Sequence, residues 1–589
     1  MAKDSKRRFD NIFPLSYKEG FNQWWTGLPA AQAEHKVLSF IPFLKPAQNQ
    51  ADTDAASPAA PRSCITSSDK QSTAIPSTHL SWTTSTDDPH GPRQVHSRQI
   101  QLPGKDRSLN EFSVERTGET KDQNLVILHG YGAGLGLFYK NFEPLSRVKG
   151  WQLYALDLLG MGRSSRPPFR IKAKERAAQI TEAEDWFVDS LEEWRVAKKI
   201  DRFTLLGHSL GGYMAVAYAL KYPGRLNKLI LASPVGIPED PYAVNAAMPE
   251  PEASTLANEF TQDQDSETVA KTNASSTKNS NSSRSANGPP VRRPLGKWLT
   301  YLWDANVSPF SFVRWSGPLG PRIVSGWTSR RFSHLPADEA QALHEYAYSL
   351  FCLRGSGEYA LAYILAPGAF ARSPLIRRIH GVGRQVLPPS GTPLDSSNIS
   401  NVLDTSDTTK NPSNVSGALC SNQRTSLSPQ HKPAPQTLDS TVLSSSSSSS
   451  LSSSPSSSTP RRESGIPIVL MYGENDWMDV AGGYAAKEII DREQQRWRKL
   501  QQSTLSSSSS MTKDKGKDSK SKGNQVASAK INDDDGDDDD DNNGVEDTGS
   551  AKVIVIPRAG HHLYLDSSDK FNQAVIEEME DVQRRRRRR

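Results

Sequence analysis

The chain has 589 residues, a hydrophobic content of 35% and a formal net charge of +5. So few apolar residues in so long a chain exclude a string of closely packed domains and point to one core diluted by segments that do not fold. The near-balanced charge indicates no nucleic-acid partner; three cysteines, with Cys64 and Cys420 in polar sequence, exclude a disulfide framework and imply a reducing, intracellular compartment.

Residues 1–47 form an aromatic and basic segment. Lys3, Lys6, Arg7 and Arg8 are interleaved with Asp4 and Asp10, a pattern without the apolar core of a secretory signal and too acidic for a mitochondrial presequence. Phe21-Asn22-Gln23-Trp24-Trp25 then leads into a helical pattern through Phe40, Ile41 and Phe43. Trp24 and Trp25 suit an interfacial anchor, with rings at headgroup depth and cations on anionic lipid. A strap packed on the body is the alternative. No apolar stretch approaches the length that spans a bilayer, so membrane association is expected to be peripheral.

Residues 48–91 are rich in Ser, Thr, Pro and Asp and are expected to be disordered. Arg93 to Leu102 and Ser108 to Arg116 predict an antiparallel hairpin. Buried strands follow at Leu125–Leu128, Trp151–Leu158, Phe203–Leu206, Leu226–Ala232, Ile466–Tyr472 and Val553–Ile556. Helical patterns cover Ala183–Lys199, Gly212–Tyr222, Gly482–Leu500 and Asp569–Arg584. The layout is a core in three pieces, residues 92–235, 464–502 and 550–589, with a cap at 236–381. Disorder is expected at 249–290 within the cap, in the Ser-rich insertion 382–463 and in the Lys-rich and acidic insertion 503–549. The acidic run Asp533 to Asp541 and the terminal Arg584 to Arg589 read as solvated tails. Trp298, Trp303, Trp315 and Trp327, with Tyr301, Phe310 and Phe312, make the cap aromatic, either as its own packing or as an entrance for acyl chains.

Gly207-His208-Ser209-Leu210-Gly211 falls between a strand and a helix, which is the setting of a serine nucleophile elbow. The flanking glycines permit the sharp turn that lifts Ser209 clear of the backbone. An activated serine needs a base, and the base needs a carboxylate to orient it. His561, after the strand Val553–Ile556, is the candidate base; His562 is expected to point away. Asp476, after the strand Ile466–Tyr472, is the candidate acid, with Asp479 as the alternative or as a cap for the following helix. Two amides are needed for the oxyanion, one from Leu210 and one from Tyr131 in the loop His129-Gly130-Tyr131-Gly132-Ala133-Gly134. Asp157-Leu158-Leu159-Gly160-Met161-Gly162-Arg163-Ser164-Ser165 reads as a structural turn. The chemistry calls for no cofactor and no metal. The element order is that of an α/β-hydrolase fold, a mostly parallel sheet with helices on both faces, an inserted helical cap and long disordered insertions.

Leu125 through Phe138, Asp157 through Pro167, Leu220 through Leu226, Gly355 through Ala360, Pro367 through Arg372 and His561 through Asp566 together resemble the subfamily of α/β-hydrolase-domain proteins 4 and 5. Within it they resemble the fungal branch of cardiolipin deacylases and lysophospholipid acyltransferases. One branch of that family carries Asn at the nucleophile position and acts as a lipase coactivator; this chain has Ser209. The resemblance implies a peripheral membrane enzyme cleaving acyl esters of glycerophospholipids such as cardiolipin. It leaves open an acyltransferase using acyl-CoA, or a non-catalytic coactivator. It also implies a mitochondrial location, with cytoplasm or lipid droplet as alternatives. The family's acyltransferase-like His-x-x-x-x-Asp motif is matched by His561 and Asp566, although Asp566 is also placed to help start the last helix.

Overall fold

Runs such as Leu125-Val126-Ile127-Leu128, apolar on both faces of a strand, are stable only where both sides of a sheet are covered. The computed structural model describes residues 14–44, 80–84, 88–239, 306–366, 370–388, 461–511 and 549–588. Its strands are β1 (Leu80–Thr83), β2 (Arg93–Gln101), β3 (Ser108–Arg116), β4 (Gln123–Leu128), β5 (Trp151–Leu156), β6 (Phe203–His208), β7 (Leu226–Ala232), β8 (Ile468–Gly473) and β9 (Ala551–Ile556). They make one sheet in the order β1-β2-β3-β5-β4-β6-β7-β8-β9. The first three pair antiparallel, β3 joins β5 antiparallel, and every later pairing is parallel. From β4 the chain first moves to one side, to β5, and then crosses to the other, to β6. That reversal opens a crevice at the carboxyl ends of β4 and β6, the usual place for a ligand in such sheets.

The helices are α1 (Tyr17–Thr26), α2 (Ala30–Leu38), α3 (Tyr139–Leu145), α4 (Arg176–Ala197), α5 (Leu210–Lys221), α6 (Pro309–Trp315), α7 (Gly320–Arg331), α8 (Ala337–Phe351), α9 (Leu361–Ile364), α10 (Val480–Met511), α11 (Leu563–Asp566) and α12 (Ser568–Arg588). The apolar core lies in two layers, one on each face of the sheet. One contains Phe187 and Leu191 of α4 with Tyr213 and Val216 of α5; the other contains Phe138, Phe142, Tyr346 and Val575. Helices α6 to α9 are inserted between β7 and β8 as a cap. Buried Lys228 on β7 meets Glu578 and Asp581 of α12, each at 2.6 Å, which fastens the last helix to the sheet.

Four sequence expectations differ from the structure. β1 lies inside 48–91, expected to be disordered; Trp82, its one large aromatic, donates its indole N–H to the Leu44 carbonyl at 2.7 Å. α10 runs on to Met511, beyond the expected break at 503, because no Gly or Pro interrupts residues 484–511. The ends of the Ser-rich insertion are also ordered: Val382 is buried, and Val386 pairs with Arg462. The N-terminal segment is more than a surface anchor, since α2 buries Glu34, which the Arg163 guanidinium and the Tyr346 hydroxyl both meet. The expectations for 249–290, for Trp298, Tyr301 and Trp303, and for Asp533–Asp541 fall outside the described residues. So does nearly all of 387–461. Among the described residues no helix is long and apolar enough to cross a membrane.

Candidate active site

β6 ends at His208 and α5 begins at Leu210, so a single residue makes the turn between them. Ser209 makes it with φ 52° and ψ −116°, a conformation an L-residue adopts only when its surroundings impose it. The glycines on either side permit this. A Cβ on Gly207 would sit 2.3 Å from the Gly211 carbonyl oxygen, and one on Gly211 would sit 2.7 Å from those of Leu128 and His129. The turn is fixed further by the Ser209 N–H, which donates to the Ala232 carbonyl at 2.9 Å. Ser209 thus stands at the N-terminus of α5, where the helix dipole favours negative charge.

β8 and β9 deliver the second part of the site. His561 Nδ1 lies 3.1 Å from Asp476 Oδ1, with both side chains buried. Burial pushes the Asp476 carboxyl upward, but His561, the Ser233 hydroxyl at 2.5 Å and the Met478 N–H at 3.0 Å outweigh it and hold the group below the usual carboxylate range. Asp479 is placed elsewhere: it accepts from the Ala481 N–H at 2.9 Å and caps α10. Of the two candidate acids, only Asp476 meets His561.

Ser209 and His561 are linked through His208. The His208 Nε2–H donates to the His561 carbonyl at 3.0 Å, and the two rings stand 4.8 Å apart. Burial pushes the His208 imidazole well below its ordinary value, with His561 and Arg331 adding to the effect, so it is neutral. His561 Nε2 is buried and makes no hydrogen bond among the described residues. A direct bond from the Ser209 hydroxyl to His561 is therefore not formed; such bonds are often loose without substrate.

The glycine-rich loop after β4 lies against Ser209. A Cβ on Gly130 would stand 3.0 Å from Ser209 Cβ, so the backbone entering Tyr131 passes beside the serine. Leu210, the other expected amide, is the first residue of α5. Asp157 holds this loop by accepting from the Leu135 N–H at 2.7 Å, while also accepting from Asn110 Nδ2 and the Arg163 N–H at 2.8 Å each. The structural-turn reading of that segment suits these contacts. The Tyr346 hydroxyl of α8 accepts from the Gly136 N–H at 3.3 Å and donates to Glu34 at 3.2 Å, tying loop, cap and N-terminal segment together.

Two expectations at the end of β9 are corrected. The His562 ring does not point away: it packs 5.0 Å from His208 and lines the same cavity as His561. Asp566 does not start the last helix; it ends α11, and its Oδ2 accepts the Gly560 N–H at 3.0 Å. It also lies 3.7 Å from His334 of the cap. Asp566 is therefore placed to brace the turn one residue before His561. If His561 is the base of an ester-cleaving site, Asp566→Ala should lower hydrolysis and transfer to an alcohol by the same factor, about tenfold, because an unmet amide loosens the turn that carries His561. Asp566→Asn, which still offers an oxygen to Gly560, should recover most of both rates. Loss of transfer alone, read from product ratios, would show that Asp566 acts on the acceptor.

The cavity is lined by Tyr131, Leu137, Phe310, Trp327, Arg331, Phe351, Trp477, His561 and His562, among others. Tyr131 stacks on Phe310 at 5.1 Å and Phe310 on Phe351 at 4.3 Å, so these three rings form one aromatic side of the cavity. Sequence reading missed Ser233, Trp477 and Arg331. Ser233 has no motif; its signal is only its position directly after β7. Among the described residues no cluster of His, Cys, Asp and Glu has the makings of a metal site.

The N-terminal tryptophans are not equivalent. Trp25 is 57% exposed, whereas Trp24 is half-buried with its indole nitrogen enclosed. α1 packs against Pro318 and Arg322, the guanidinium of Arg322 lying 3.9 Å from the centre of the Tyr17 ring. Exposed Tyr17, Phe21 and Trp25 thereby adjoin the cap segment that exposes Trp315 and Leu319.

A strained serine between β6 and α5, with a buried acid–imidazole pair after β8 and β9, defines a protein built on the nucleophile-elbow plan. Residues 123–311 match the family model described as the alpha/beta hydrolase fold. The chain is 31% identical over 299 residues to a bovine (lyso)-N-acylphosphatidylethanolamine lipase, covering 49% of this chain and 69% of that one. The chain belongs to the α/β-hydrolase family. It is 36% identical over 259 residues to an Arabidopsis thaliana 1-acylglycerol-3-phosphate O-acyltransferase, covering 43% of this chain and 51% of the relative. Human 1-acylglycerol-3-phosphate O-acyltransferase ABHD5 is 36% identical over 260 residues, covering 43% and 58%. The chain thus spans little more than half the length of these two relatives.

Proposed function

We propose that this protein is a serine enzyme of glycerophospholipid acyl esters, working at a membrane surface. The observation that carries the proposal is the buried His561–Asp476 pair, 3.1 Å apart, on the wall of an aromatic cavity beside the Ser209 turn. In this reading Ser209 Oγ attacks the ester carbonyl while His561 Nε2 takes its proton. The negative charge on the carbonyl oxygen is met by the Leu210 and Tyr131 amides. His561 returns the proton to the departing glycerol oxygen, leaving an acyl-Ser209. Water, activated by the same imidazole, then releases the fatty acid and restores the serine. Asp476 holds the imidazole and stabilises its protonated form.

A second reading keeps the same residues and changes the acceptor. The activity for which the plant and human relatives are named favours it: with acyl-CoA as donor the thiol departs, and a lysophospholipid hydroxyl replaces water at acyl-Ser209. Membrane docking in either reading uses the exposed aromatics of α1 and the cap, which bury apolar surface at the interface. Cardiolipin is one candidate substrate and a mitochondrial membrane one candidate surface.

The test uses purified full-length protein on phospholipid vesicles, with and without acyl-CoA and lysophosphatidate. Ser209-dependent fatty-acid release is expected without acyl-CoA; ester formation only when acyl-CoA is present would replace the first reading with the second. Trp25→Ala with Trp315→Ala should reduce vesicle co-sedimentation and vesicle turnover about tenfold while leaving a short soluble ester unaffected. Equal loss on the soluble ester would show that these rings are packing elements.

A further inference from the structure

Glu34 on α2 is 1% exposed, and burying a carboxylate costs stability unless donors meet it. Fastening α2 to the body does not require one, since Ala33, Val37 and Leu38 of the same helix are already packed in the apolar layer that holds Tyr346. Three donors meet the carboxylate: Arg163 Nη1 at 2.5 Å, Asn110 Nδ2 at 3.1 Å and the Tyr346 hydroxyl at 3.2 Å. Each of these residues also holds the loop after β4, or the aspartate that braces it. Asn110 Nδ2 and the Arg163 N–H donate to Asp157 Oδ2 at 2.8 Å each, and Asp157 Oδ1 accepts from the Leu135 N–H at 2.7 Å. Tyr346 has a single hydroxyl proton. Given to Glu34, it leaves the oxygen's lone pairs to the Gly136 N–H, 3.3 Å away. The loop lies directly on that ring: a Cβ on Gly134 would stand 2.3 Å from the Tyr346 oxygen, and one on Gly136 2.9 Å from its Cε1. The other end of the loop is held by the residue after Asp157. The Leu158 N–H donates to His129 Nε2 at 3.1 Å, so the ring carries its proton on Nδ1, which donates to the Gly130 carbonyl at 2.7 Å. In a planar trans peptide the N–H points opposite to the carbonyl, so fixing the Gly130 carbonyl fixes the direction of the Tyr131 N–H.

We propose that Glu34 is a positioning residue that acts through the Tyr346 hydroxyl on the loop carrying the Tyr131 amide, and so sets the hold of the site on the oxyanion. The inference rests on the serine-enzyme reading above. Between Ser209 and Tyr346 the loop contains Gly130, Gly132, Gly134 and Gly136. A backbone so rich in glycine restrains itself little, and its shape depends on the groups that grip its ends. Oxyanion donors are effective only when they are aimed before the charge develops. The N-terminal segment thereby serves the reaction without touching substrate.

The experiment separates the hold on the oxyanion from binding in general. An alkyl trifluoromethyl ketone and the matched trifluoromethyl alcohol are titrated into the full-length protein, and kcat and KM are measured on a short soluble ester. With the ketone, Ser209 Oγ bonds to the carbonyl carbon, its proton passes to His561 Nε2, and the carbonyl oxygen takes the negative charge; no group leaves. The alcohol has no carbonyl to attack. Glu34→Leu should weaken ketone binding and lower kcat by about tenfold each, less than the roughly 10²–10³-fold cost of removing an oxyanion donor, because the amide is displaced and not lost. Alcohol binding and KM should stay within about twofold. Tyr346→Phe, which removes only the hydroxyl, should act by a similar factor, and the double variant should be no more than about twofold worse than Glu34→Leu alone. Should Glu34→Leu fail to fold, judged by its circular dichroism and melting curve, Tyr346→Phe decides: a folded protein that binds the ketone as tightly as wild type contradicts the proposal. Equal weakening of ketone and alcohol in a folded Glu34→Leu protein, undiminished ketone binding, or effects of the two substitutions that multiply would each overturn it. A wild type that neither cleaves the ester nor prefers the ketone to the alcohol would overturn the serine reading and this inference with it. An active wild type with unaffected variants overturns the inference alone.

Discussion

Ser209→Ala should lower acyl-ester turnover by about ten-thousand-fold or more, because the acyl-enzyme cannot form without that hydroxyl. The fold should survive. Ser209 is held at φ 52° by its neighbours and by its backbone bond to Ala232, neither of which uses the hydroxyl. Alanine adopts that conformation at the same cost as serine, so the melting temperature should change by no more than about two degrees, the equivalent of a few tenths of a kcal/mol. The check is kcat on a soluble ester together with a thermal melt. Turnover within tenfold of wild type would contradict a serine mechanism. A large fall in stability would make the rate uninterpretable and would place the hydroxyl in the packing of the turn.

The second large effect concerns the acid. Asp476→Asn should reduce kcat by about 10³–10⁴-fold, because an amide opposite His561 favours the wrong tautomer and no longer stabilises the imidazolium. Asp479→Asn should leave kcat within about twofold, since asparagine caps a helix as well as aspartate does. The reverse ranking would transfer the role to Asp479. The pair also predicts a pH effect on stability. The folded-state value of Asp476 lies below the ordinary 3.8, so on acidification the unfolded chain takes up the proton first. Its stabilising contribution is complete above that ordinary value and is lost as pH falls through the lower folded-state one. Asp476→Asn should remove that part of the acid dependence, which melts taken between neutral pH and about pH 3 would reveal.

Most of the sheet was legible because its strands are long apolar runs and its turns carry glycine. Leu226–Ala232 was predicted with both ends as found, and the hairpin Arg93–Leu102 with Ser108–Arg116 closely matches β2 and β3. The element order implied a parallel sheet with a cap between β7 and β8, and that is the observed topology. β1 was missed because an edge strand of four residues with one large aromatic gives no periodic signal. The end of α10 was misjudged because serine is a weak helix former and not a breaker. The choice between Asp476 and Asp479 was open in sequence, as both follow the same strand. It is decided by local backbone: the Asp476 N–H closes a turn on the Gly473 carbonyl, while Asp479 caps α10. Ser233 and Glu34 were invisible for a different reason. Each acts on residues far away along the chain, so nothing in its own neighbourhood signals the role. His562 was misread because two adjacent side chains on a turn, unlike those on a strand, need not face opposite ways.

The central claim is that Ser209 is the nucleophile of a site built on His561 and Asp476. The most direct measurement is mass spectrometry of the intact and then digested protein after exposure to a fluorophosphonate, which reacts with serines activated in this way. One adduct per chain is expected, located on Ser209, absent from Ser209→Ala and formed far more slowly in Asp476→Asn. An unlabelled wild type that is folded, or an adduct that remains in Ser209→Ala at the wild-type rate, would contradict the account.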